Sequence, residues 1–116
     1  MSRPAARSIV LIEDRETTRA MVEETFRRNG WDVRSGGTCA EGKAFLDERL
    51  PDLLLTDLQL PDGSGLDLLQ RGVGRDPRLP VIVMSAFGTI EIAVEAMKHG
   101  AYDFVPKPFD TKRLAG

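Results

Sequence analysis

Two rhythms of apolar residues alternate along the chain. The first is short and continuous. Ser8–Ile12, Leu53–Thr56 and Val81–Met84 are compact runs rich in branched side chains, as buried strands are. Trp31–Arg34 and Tyr102–Val105 are briefer mixed runs, and the former suits a sheet edge. The second rhythm is helical. From Glu16 to Asn29, Met21, Val22, Thr25 and Phe26 share one face, and Gly30 ends the segment as a C-terminal glycine does. Thr38 caps a helix to about Arg49, with Glu41 completing a capping box and Gly42 as a weak interior position. Leu66–Arg71 is a further helix after the turn-forming Pro61–Gly65. Thr89 caps another, with Ile90, Ala93, Val94 and Met97 as its apolar stripe and Gly100 as its stop.

Strand and helix thus alternate five times. That pattern predicts an α/β fold with a parallel sheet covered on both faces and right-handed crossovers. Residues 1–7 read as a loose arm and 8–116 as one domain, which suits a length of 116 residues. Ligands of such sheets bind beyond the carboxyl ends of the strands, so the residues following each strand carry the chemistry.

Those residues are Glu13 and Asp14 after the first strand and Asp57 at the third. Ser85 and Ala86 follow the fourth, and Lys107 follows the fifth. Three carboxylates therefore meet one amine at one rim. Two such charges about 4 Å apart repel by about 4 kcal/mol at an effective dielectric of about 20. The cluster must protonate, pair with Lys107 or bind a cation, and hard oxygen donors favour Mg²⁺. A carboxylate beside a divalent cation and a lysine can attack phosphorus.

Composition narrows the function further. The net charge is −2, from 16 basic and 18 acidic residues, which gives no electrostatic case for direct nucleic-acid binding. No apolar run approaches the roughly 20 residues of a membrane helix. The single cysteine, Cys39, suits a cytoplasmic protein and reads as an inert thiol. His99 reads as a cation at a helix C-terminus, and Trp31 as edge packing. Asp57–Gly63 fails as a calcium loop, because Pro61 stands at its fifth position and the glycine comes at the seventh. A flavin phosphate would be repelled by Glu13-Asp14. A haloacid-dehalogenase-type phosphatase would need Asp where Gln59 stands.

Four motifs carry a resemblance. They are Ile12-Glu-Asp14, Leu55-Thr-Asp-Leu-Gln-Leu-Pro-Asp-Gly63, Met84-Ser-Ala86 and Val105-Pro-Lys-Pro108. Together they resemble the receiver domain of bacterial two-component response regulators. The stretch from Ala86 to Asp110 is most similar to the nitrogen-regulatory (NtrC) class. The resemblance implies a flavodoxin-like doubly wound sheet of order 2-1-3-4-5. It makes Asp57 the phosphoacceptor for a sensor histidine kinase. It assigns Mg²⁺ (or Mn²⁺) to Asp14, Asp57 and the Gln59 backbone carbonyl, with Glu13 acting mainly through an intervening water. Ser85, the Ala86 backbone and Lys107 would bind the phosphoryl group, and Phe104 would be the switching aromatic. Gln59 and Phe87 would tune the phosphoryl lifetime. It also implies a cis Lys107–Pro108 bond, a fifth helix cut short near residue 116, a second receiver copy as partner and an output domain in a longer parent chain. Two other readings stand beside this switch: a degenerate receiver that only docks proteins, and a small aspartyl-phosphate phosphatase.

Overall fold

The computed structural model describes residues 6–85 and 90–107. Its main sheet has five parallel strands: β1 (Ser8–Ile12), β2 (Asp32–Gly36), β3 (Leu53–Asp57), β6 (Val81–Ser85) and β7 (Asp103–Pro106). Their spatial order is β2-β1-β3-β6-β7, the doubly wound order expected from the family resemblance. A two-stranded hairpin, β4 (Gln59–Leu60) with β5 (Gly63–Ser64), lies between β3 and the next helix. The helices are α1 (Glu16–Arg28), α2 (Cys39–Glu48), α3 (Gly65–Arg75) and α4 (Ile90–Lys98). None is long and apolar enough to cross a membrane.

All five residues of β1 are buried, because the sheet is covered on both faces. Alternate side chains enter different cores. Val10 and Ile12 join Leu54, Leu68, Leu69, Val81 and Val83 in one. Ile9 and Leu11 join Val22, Phe26, Leu55 and Met84 beneath α1 in the other. Trp31 packs edge-on against Phe26, with ring centroids 5.3 Å apart, beside edge strand β2.

Gly30 and Gly100 take φ values of 86° and 98°, so both act as the helix stops their positions predict. Thr38 accepts from the Glu41 amide at 3.1 Å. The Glu41 carboxylate reaches back to the Gly37 amide at 3.2 Å, one residue before the expected partner.

Four expectations require correction. Helix α3 runs past Arg71 to Arg75 despite Gly72 and Gly74. A Cβ at Gly72 would lie 2.7 Å from the Leu79 side chain, so the glycine admits close packing instead of ending the helix. Gly42 is likewise a contact point, because a Cβ there would meet Leu68 at 2.7 Å and Ile12 at 3.1 Å. Met21 is half exposed, so α1 buries Val22 and Phe26 rather than the whole predicted face. Helix α4 buries Ala96 and half-buries Ile92 and Ala93, while Val94 and Met97 remain 46% and 48% exposed. Its sequence is apolar on two faces, and docking selects the one with the smaller residues. The Thr89 cap, Ala86, Phe87, the Lys107–Pro108 bond and the shortened fifth helix lie outside the described residues.

Candidate functional site

The parallel register delivers the acidic residues to one rim. Ile12 pairs with Thr56 across β1 and β3, so Glu13 and Asp57 follow neighbouring strand ends. Asp57 in turn pairs with Met84, and Ser85 with Pro106, which brings Lys107 to the same end. The Lys107 Nζ atom lies 2.6 and 2.8 Å from the two oxygens of Glu13 and 2.8 Å from Asp57 Oδ2. Glu13 is fully buried, Asp57 is 6% exposed and Asp14 stands exposed at the rim. One carboxylate oxygen from each of the three lies within 4.8 Å of the others.

Burial raises the Glu13 pKa to about 7; the Asp57 hydrogen bond adds to this and Lys107 opposes it. Burial disfavours the Lys107 cation too, but hydrogen bonds to Asp57 and Glu13 outweigh it and raise its pKa. All three carboxylates are hard oxygen donors clustered closely enough to share one divalent cation, and the exposed Asp14 side leaves room for its water.

The remaining expected residues fall around this centre. Ser85 is 1% exposed, and its carbonyl accepts from the Lys107 amide at 2.8 Å. Gln59 is exposed, and its backbone amide donates to Asp57 Oδ1 at 3.3 Å. Phe104 is half-buried beside the α2–α3 core, one strand from Val83.

Comparison with known proteins decides the family. Residues 9–116 match the response regulator receiver domain. The chain belongs to that family. The receiver is 41% identical over 114 residues to the response regulator protein PilR of Pseudomonas aeruginosa, covering 98% of this chain and 25% of PilR. It is 38% identical over 109 residues to the DNA-binding transcriptional regulator NtrC of Bradyrhizobium, covering 94% of this chain and 23% of that protein. NtrX from Brucella abortus superimposes with a TM-score of 0.85 at 34% identity, over 95% of this receiver and 25% of NtrX. The receiver spans about a quarter of the length of the curated relatives it matches.

Two residues beside the receiver's carboxylate centre escaped the sequence reading. Arg19 donates from Nη1 to the Glu13 carbonyl at 2.9 Å, tying α1 to the loop that bears the acidic pair. By composition Gly65 belongs to a turn. In the structure its backbone is pressed against the Asp57 carbonyl, where a Cβ would collide, and its amide donates to Leu58 O at 2.8 Å. A glycine at the seam of turn and helix was the available signal for Gly65. Arg19 had none, because a basic residue on an amphipathic helix ordinarily faces solvent. His99 meets Glu95 at 2.9 Å and Gln70 at 3.1 Å near the end of α4, and Cys39 is buried with its thiol pKa raised by that burial.

Proposed function

We propose that this receiver accepts a phosphoryl group on Asp57 from the phosphohistidine of a sensor histidine kinase. The observation that supports it most is Lys107 bridging Glu13 and Asp57 at the strand ends, with Asp14 open at the rim. An Asp57 oxygen attacks phosphorus and forms the P–O bond as the P–N bond breaks. The imidazole nitrogen leaves with the bonding electrons and takes a proton from solvent. Asp14, Asp57 and the Gln59 carbonyl would hold Mg²⁺ or Mn²⁺, with Glu13 contributing indirectly. The bound cation supplies charge neutralisation to the phosphoryl oxygens.

Lys107 then exchanges its carboxylate partners for phosphoryl oxygens, assisted by Ser85 and the Ala86 amide. Phe104 follows as the packing half of a two-state switch. Gln59 and Phe87 tune the phosphoryl lifetime. The switch controls an output domain in a longer chain, with transcription as the readout, as the names of NtrC and DctD describe for those proteins. A second receiver copy is a partner in that switching. The setting is the cytoplasm, where kinase and Mg²⁺ are available.

The test is the intact mass after incubation with Mg²⁺ and acetyl phosphate. One added phosphoryl group, about 80 Da, that disappears in Asp57→Asn is the expected result. No adduct indicates a docking module, and continuous phosphate release indicates a phosphatase.

A further inference from the structure

The hairpin of β4 and β5 leaves the end of β3 and touches the phosphoacceptor directly. Gln59 N–H donates to Asp57 Oδ1 at 3.3 Å, and Gly65 closes the hairpin's base on Leu58 O at 2.8 Å. Each of its strands has only two residues, and a hairpin that short does not hold its own geometry in water. Its tip is tied elsewhere. Asp62 Oδ1 accepts from Cys39 N–H at 2.7 Å, and Oδ2 accepts from Ala40 N–H at 3.0 Å. Both donors belong to the first turn of α2. Those two backbone hydrogen bonds also hold the Asp62 carboxyl below the usual carboxylate range. The cap of α2 itself is a different residue, Thr38, bonded to the Glu41 amide.

We propose that Asp62 is a positioning residue for the phosphoacceptor, clamping the hairpin tip to α2 so that the Gln59 backbone stays beside Asp57. This rests on the phosphoacceptor reading above. Asp62 touches none of the reacting atoms. It acts through Gln59, whose amide steadies one Asp57 oxygen while Lys107 holds the other. The ordinary alternative is that Asp62 serves only as a second cap for α2.

Comparison of Asp62→Ala with Thr38→Ala separates the two roles. Both variants remove acceptors from the first turn of α2, but only the first releases the hairpin. Loss of groups that hold metal ligands in place weakens affinity by roughly 10–100-fold. Asp62→Ala is therefore expected to weaken Mg²⁺ binding, measured calorimetrically, by about tenfold and to slow phosphoryl uptake from acetyl phosphate similarly. Thr38→Ala is expected to leave both within about twofold, well below that range. Asp62→Asn retains one acceptor and falls between, and it covers the case in which the alanine variant does not fold. The Gln59 amide resonance should shift in the Asp62 variants and not in Thr38→Ala. Equal effects of Asp62→Ala and Thr38→Ala on Mg²⁺ affinity and on the Gln59 amide overturn the clamp. A wild type that takes no phosphoryl group overturns the phosphoacceptor reading instead, and the clamp is then judged on the Mg²⁺ and amide measurements.

Discussion

Both carboxylate oxygens of Glu13 face the amine of Lys107, at 2.6 and 2.8 Å, inside a site where Glu13 has no exposed surface. Even so, burial outweighs the ion pair, and the Glu13 pKa stands near 7 against an ordinary 4.5. A raised carboxyl pKa means that the folded state binds the proton more tightly than the unfolded state. The metal-free receiver should therefore lose stability as pH rises from about 4.5 to about 7, by on the order of 3 kcal/mol from this group. Urea denaturation in EDTA across that range measures it, with Glu13→Gln as the variant that flattens the slope. A wild-type curve as flat as the variant's would refute the assignment.

Lys107→Ala should remove the only cation that contacts both Glu13 and Asp57 among the described residues. Breaking a buried pair on one side costs roughly 3–5 kcal/mol. The loss should be greatest above pH 7, where Glu13 is ionised, and added Mg²⁺ should recover part of it. Phosphoryl uptake should persist in this variant. The amide shifts that beryllofluoride induces in α4 should shrink, and shifts equal to wild type would count against Lys107 as the coupling group.

Two glycines of α3 should respond in opposite directions. A Cβ at Gly65 collides with the Asp57 carbonyl, whereas a Cβ at Gly74 meets nothing within 4 Å. Gly65→Ala should destabilise by about 1–3 kcal/mol or more and disturb Mg²⁺ binding as Asp57 shifts. Gly74→Ala should stabilise by about 0.5–1 kcal/mol. Chemical denaturation of the two variants checks both signs.

Trp31 should report unfolding but not the site. It precedes Asp32, which pairs with Ser8, whereas the carboxylates follow Ile12 at the level of Gly36. Five strand steps, Trp31 to Gly36, of about 3.3 Å each put its backbone more than 10 Å from the metal ligands. Mg²⁺ should leave its emission unchanged, and Asp14→Asn should weaken Mg²⁺ binding in calorimetry without any fluorescence counterpart. An emission change saturating with the calorimetric signal would refute this.

The central strands were legible because they are buried on both faces. Continuous runs such as Ile9–Ile12 and Leu53–Leu55 leave no polar alternative for the chain. The rim residues were legible because each follows such a run. Helix α3 was less so: the expected helix ends at about Arg71, and the packing of Leu79 against Gly72 shows why it continues to Arg75. The facing of α4 depends on which apolar side docks, a tertiary choice that a helix apolar on two sides does not record. Contacts that join backbone to a distant side chain, such as Arg19 with the Glu13 carbonyl and Asp62 with Cys39, leave no periodic trace.

The last described residue of β7's rim, Lys107, is joined to a residue 94 positions earlier. Chains are made from the N-terminus onward, and a domain generally folds as a unit. During synthesis Glu13 and Asp57 therefore leave the ribosome long before their shared amine does. Throughout that interval the carboxylates have no Lys107 to pair with. The receiver completes its site only when β7 and Lys107 arrive, so a chain interrupted earlier should be unable to complete the site.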